Sequence, residues 1–225
     1  MFAINHAASA LLFKKHLEGR VSFIWILLAV QFVELIWVLL NLIGVERMTT
    51  EERINYVGDI HLSYIPYSHS ILTSVIIGFI ALLAFWVWSR SWRIGIVMGL
   101  TFLSHIILDI VTHARDLPLG FSNTYLIGLG LYSFWPTLAF VVELGFGVFC
   151  WWYYKGSRAL FWIIIVFNVF NISMFSPMLT GPEYYMANKP MLITIVIFAQ
   201  IIITLSLVGW TASKTPVKAE RSSVR

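Results

Sequence analysis

"SWRIGIVMGLTFLSHIILDIVTHARD", residues 91–116, decides the fold. Some twenty of these residues form an apolar run, about the length needed to cross the hydrocarbon core of a bilayer. Lipid offers no water to the backbone, so such a run must be helical, closing its N–H and C=O groups within the segment. In that helix His105, Asp109 and His113 recur at i, i+4 and i+8. They lie within about 80° of arc on one face. An aspartate at this depth costs about 2.5–3.5 kcal/mol on insertion, so it must face the bundle interior and have a partner.

The rest of the chain fits that reading. Its 225 residues are 59% hydrophobic and only 12% charged, against roughly 25% charged in soluble domains. Apolar runs of spanning length cover residues 21–44, 67–89, 93–114, 126–154, 159–177 and 190–211. The first thirteen residues are apolar but short, which leaves a half-helix, an interfacial helix or a short seventh span. The expected fold is therefore an all-α polytopic membrane helix bundle, six spans plus that N-terminal helix. It forms one domain over residues 1–212, followed by a disordered basic tail over 213–225. The N-terminal charges follow the apolar segment instead of preceding it, so the segment reads as part of the mature chain. The connection 45–66 is the most polar stretch, and its Pro66 is placed to open the following helix. No internal repeat is visible, which weighs against an inverted-repeat transporter.

Net charge is +4, with the basic residues at loops and tails. That pattern reads as topology and contact with anionic headgroups, and no nucleic-acid partner is expected. Eleven Lys and Arg residues fall on one side of the predicted spans and four (Arg47, Arg53, Arg115, Lys189) on the other. The basic side, with the C-terminus, is expected to be cytoplasmic. The single cysteine, Cys150, rules out an internal disulfide.

Other ionisable residues fall at compatible depth. Glu34 is mid-span in the first long run, His69 stands at the start of the second, and Asp59 and His61 precede it. The alternating topology brings Glu34, His69, His105 and Asp109 toward the outer half of the bundle. Histidines with carboxylates are the donor set of Zn, and of Mn or Fe, so a divalent metal ion is the expected cofactor. His113, Asp116, Asp59 and His61 stand at the mouth as further ligands or supports. Glu143 is a further intramembrane carboxylate. The bland alternative for His105 and Asp109 is a hydrogen-bonded pair that only holds helices together.

"PYSHS" (66–70) followed by "LSHIILDIVTHARDLP" (103–118) resembles small bacterial inner-membrane proteins of a metal-dependent hydrolase family, the LexA-regulated type and its permease-labelled relatives. That family's pattern has an N-terminal histidine, an acidic residue after the first long run, a "THS"-like motif and a "GH-x-x-LD"-like helix. Position by position the resemblance implies His6, Glu34, His69, His105 and Asp109 as ligands, and a bacterial inner-membrane location. Two departures stand out: a single carboxylate in "QFVELIW" where the family has an acidic cluster, and Ser68 where it has threonine. Lipid phosphatases of the acid-phosphatase type are excluded, because the position six residues before His105 is Gly99 instead of their arginine.

The functional expectation is a membrane-embedded metal-dependent hydrolase acting on a membrane lipid, or on a lipid-linked or small-molecule ester or phosphoester. Asp59 or Glu143 would serve as general base. A homo-oligomer is compatible with this reading. The alternative is a small permease or ion-coupled carrier using the same cluster as a relay. A third reading makes the cluster packing alone.

Overall fold

The computed structural model describes residues 1–17 and 19–213. It is an all-α bundle with two small hairpins. Its helices are α1 (Ala3–Leu17), α2 (Phe23–Leu42), α3 (Ile71–Ser89), α4 (Trp92–Thr112), α5 (Leu131–Phe134), α6 (Pro136–Tyr154), α7 (Arg158–Phe170) and α8 (Pro190–Ser213). Helices α2, α3, α4, α6 and α8 are long and apolar enough to cross a membrane. The tail expected from residue 213 lies, from 214 onward, outside the described residues.

Helix α1 is the buried centre of the bundle, packed against α2, α4, α6, α7 and α8. Ala7, Ala8, Ala10 and Leu11 are fully buried. Small residues on several faces let five helices approach it at once. At 1.5 Å per residue it is about 22 Å long, short for a span yet sufficient inside a protein shell. Its C-terminal end is tied down by Lys14, whose Nζ donates to Tyr154 Oη at 2.6 Å and to the carbonyl of Ala212 at 2.8 Å. The ends of α1, α6 and α8 therefore meet at one end of the bundle. Asn5 and His6 occupy the opposite end.

Three boundaries differ from the hydropathy reading. Pro66 does not open α3; Ser70 caps it, its Oγ accepting from Thr73 N at 3.0 Å, and "PYSH" forms a turn before the helix. The run 126–154 becomes helical at α5, and the long helix begins only at Pro136. Gly128 (φ +146°) fits against the carbonyl of Ala114, where a Cβ would lie 1.8 Å from the oxygen. Leu129 N and Gly130 N donate to the carbonyls of Ile110 and His113 at 2.8 and 2.7 Å, folding this segment over the end of α4. The fifth run, 159–177, yields only the 13 residues of α7, followed by a 3-10 turn at Ile172–Phe175. Asn168 and Asn171 direct their side-chain amides to the carbonyls of Ile164 and Phe167, competing for the acceptors at the helix end.

The polar connection 45–66 is not a plain loop. It holds an antiparallel pair, β1 (Arg47–Thr50) with β2 (Ile60–Tyr64), in the register Thr49↔His61. Met48, Ile54 and Ile65 anchor it into the core. A second pair, β3 (Leu117–Pro118) with β4 (Leu126–Ile127), lies at the same end.

Helices α3 and α4 form the tightest pair. Gly99 faces the Gly78 carbonyl, and a Cβ there would stand 2.9 Å from its oxygen. Small residues at the crossing let the backbones approach closely, as in membrane helix pairs generally. This contact sets the position of the helix that carries His105 and Asp109.

Candidate metal centre

Five side chains from four elements meet at the end of the bundle away from Lys14. His6 comes from α1, Glu34 from α2, His69 from the turn before α3, and His105 and Asp109 from successive turns of α4. All but Glu34 are buried to within 2% of full enclosure, and the Glu34 side chain keeps 18% exposure. The helical stripe read from the sequence does face inward.

Asp109 is the hub. Its Oδ2 lies 3.0 Å from His105 Nε2 and 3.8 Å from His69 Nε2. Its Oδ1 lies 3.1 Å from His6 Nε2, 3.8 Å from His113 Nε2 and 2.6 Å from the amine of Met1. Glu34 Oε2 completes the other side, 3.1 Å from His69 Nε2 and 3.9 Å from His105 Nε2. Two sets of ligand atoms emerge, each mutually within 4.8 Å: His6, His105 and Asp109, and Glu34, His69 and His105.

The outer contacts of the rings decide which nitrogens can bind a cation. His105 Nδ1 lies 2.9 Å from the carbonyl of Val30. A carbonyl only accepts, so Nδ1 carries the proton and Nε2 turns a lone pair toward Asp109 Oδ2. Both of these atoms are buried and without a hydrogen bond. Two facing lone-pair atoms 3.0 Å apart repel unless a proton or a cation lies between them. A set of imidazole nitrogens and carboxylate oxygens with orphaned inner atoms is what a divalent cation such as Zn requires, so the residues fit the group.

His6 differs. Its ring stacks on that of His105 with centroids 3.9 Å apart, but its Nδ1 has no partner. If Nε2 donates to Asp109, the orphan is a lone pair; if Nε2 binds a cation, the orphan is a buried N–H. The second costs more, so His6 is the less prepared ligand. His113 caps α4 with its side chain 19% exposed, and its Nδ1 lies 3.6 Å from Asp116 Oδ1. It stands at the rim of the cluster.

The residues expected as general bases are engaged elsewhere. Oδ2 of Asp59 accepts from Asn55 N at 2.7 Å and Tyr56 N at 3.3 Å, closing its own turn. Glu143 is fully buried and bonded to Tyr132 Oη, to Asn5 Nδ2 at 2.6 Å and to Phe2 N at 3.0 Å. Through Asn5, which also pairs with Asn168 at 2.9 Å, it joins α1 to α6 and α7. That network holds the turn of α1 bearing His6. Neither carboxylate belongs to the two convergent sets among the described residues. His61 is half exposed and pairs with Glu51 at 2.8 Å on the surface.

Glu46 is the residue that the sequence reading missed. Placed after an apolar run in a polar connection, it looks solvated, yet it is 1% exposed. Its Oε1 accepts from Tyr67 N and Ser68 N, both at 2.8 Å, and its Oε2 from Ser68 Oγ at 2.5 Å. No periodic signal marks it, because its partners belong to a turn.

A cavity of about 360 Å³ opens above the cluster. Glu34, His69 and His113 form its polar floor, and Trp37, Met174 and Ile197 are among its apolar walls. Scans against protein-family models, curated proteins and solved structures find no match to this chain.

Proposed function

We propose that the cluster is a divalent metal centre and that the protein is a membrane-embedded hydrolase acting on an amphiphilic ester or phosphoester. The observation that carries this reading is the pairing of two buried, hydrogen-bond-less atoms, His105 Nε2 and Asp109 Oδ2, at 3.0 Å. His69, His105, Asp109 and Glu34 would hold the ion, with His6 as a weaker contributor. A cation held there would act as a Lewis acid and bring the acidity of water toward neutral pH. The chain's own residues supply the rest. The apolar walls bind an acyl or prenyl portion and exclude bulk water. The polar floor receives the bond to be cut, and His113, with Asp116 behind it, is the group placed to carry a proton at the cavity face. This reading follows what the resemblance to the metal-dependent hydrolase family implies, with a bacterial inner-membrane location and a cytoplasmic C-terminus.

The test is elemental mass spectrometry of the detergent-purified protein beside a His105→Ala/Asp109→Ala double variant. Zn, Mn or Fe near one per chain, lost in the variant, supports the centre and warrants an assay against acyl and phosphoryl esters. Metal absent from both after reconstitution would sink the reading. Proton-coupled flux in proteoliposomes that Glu34→Gln abolishes would then favour the carrier.

A further inference from the structure

Glu46, Ser68 and His69 form a chain of hydrogen bonds running inward from the turn to the centre. Its direction follows from which atoms can donate. Glu46 Oε1 accepts from two backbone N–H donors at 2.8 Å, contacts that favour the ionised, accepting carboxylate. Glu46 Oε2 stands 2.5 Å from Ser68 Oγ. The serine hydroxyl therefore donates to the carboxylate. Having given its only proton, Ser68 Oγ can only accept from His69 Nδ1, 2.8 Å away. Nδ1 of His69 thus carries hydrogen, and Nε2 turns a lone pair toward Glu34 and Asp109. The arrangement repeats by other means what the Val30 carbonyl does for His105.

We infer that Glu46 is a positioning residue of the centre, setting the tautomer and orientation of His69 through Ser68. The inference rests on the metal-centre reading for its purpose but makes a claim about His69 that stands without metal. The Glu46 carboxylate lies inside the fold with all its described contacts in the "PYSH" turn, so its task is local: to hold that turn and polarise its serine.

The decisive substitution is Glu46→Gln. Glutamine keeps the shape, and its carbonyl still accepts the two backbone N–H groups. Its amide nitrogen must then face Ser68 Oγ and donate to it. The serine proton turns toward His69 Nδ1, and the ring moves its own proton to Nε2. The ligand atom is then blocked while every hydrogen bond is kept.

The measurement is nitrogen NMR of histidine-labelled, metal-free protein in detergent micelles, with the His69 signal assigned by its loss in His69→Gln. A titration of each protein with Zn²⁺ against a chromophoric chelator accompanies it. In the wild type, His69 Nδ1 is expected to carry hydrogen, and to lose it in Glu46→Gln. Zn²⁺ affinity should fall by about 10–100-fold, the usual effect of losing a ligand's outer partner. Ser68→Ala, which leaves the backbone bonds to Glu46 in place, should also weaken Zn²⁺, and Ser68→Thr should restore it. Should Glu46→Gln fail to fold, the serine pair carries the test. An unchanged His69 tautomer in Glu46→Gln, or full Zn²⁺ affinity in Ser68→Ala, would overturn the inference. A tautomer switch in a protein that binds no Zn²⁺ in either form would uphold the relay and defeat the metal-centre reading.

Discussion

His105 Nε2 lies 3.0 Å from Asp109 Oδ2, one helical turn away, and neither atom has a hydrogen bond. The Val30 carbonyl holds the ring's only other nitrogen, so the ring cannot relieve the contact by changing tautomer. Asparagine at 109 can relieve it, because its amide N–H can donate to Nε2. On the proposed metal-centre reading, Asp109→Asn is expected to stay folded by circular dichroism and to bind no metal. Added metal at a hundred times its dissociation constant should stabilise the wild type by about 2.7 kcal/mol. In Asp109→Asn that stabilisation should vanish, as read from thermal melting with and without chelator.

The ligands should rank by how well their outer contacts fix them. His69 and His105 each have Nδ1 engaged, at 2.8 and 2.9 Å, whereas His6 Nδ1 has no partner. His69→Ala and His105→Ala should each weaken metal by more than about 100-fold, taking a ligand to matter more than its outer support. His6→Ala should cost less than either. Chelator competition at fixed pH gives the order, and a His6→Ala loss equal to that of His105→Ala would contradict it.

The α3–α4 contact should tolerate nothing larger than glycine. A side chain at Gly99 meets the Gly78 backbone carbonyl at 2.9 Å and Leu82 Cβ at 3.1 Å. Gly99→Leu must push α3 away from α4, and overpacking of this kind costs about 1–3 kcal/mol. It should lower both melting temperature and metal content, since α4 carries His105 and Asp109. Gly145, on α6, has open space where a Cβ would go. Gly145→Ala should leave both unchanged or slightly raise stability. Thermal scans of the two variants side by side separate damage to packing from damage to the site.

These positions also mark what was legible in the chain. Hydropathy located α2, α3, α4 and α8 to within a few residues, because length and apolarity are local properties. The stripe of His105 and Asp109 was equally plain, since helical period alone puts it on one face. Burial of α1 was not: "AINHAASALLF" is too short for a span, and only five surrounding helices make it a core. The hairpin of β1 and β2 hid in a polar stretch whose few apolar anchors, Met48, Ile54 and Ile65, show no strand alternation. Glu143 is legible as an intramembrane carboxylate, but its bond to Asn5 of α1 is not. Glu46 escaped notice because it meets its partners through a turn, where no period applies.

The cavity offers a prediction that separates the chamber from the centre. Ile197 lies on α8 and lines the cavity wall, but it belongs to neither convergent ligand set. Ile197→Trp fills part of the 360 Å³ and replaces no ligand. Metal content and melting temperature should stay near those of the wild type. On the proposed hydrolase reading, turnover should fall most for the ester with the longest acyl chain and least for an acetyl ester, because the added ring competes with the chain for the apolar wall. A series of chromogenic acyl esters, each assayed against wild type and Ile197→Trp, measures this. An equal loss across the series would mean that the chain does not occupy the chamber. A loss of metal would mean that this wall and the ligand cluster are mechanically joined.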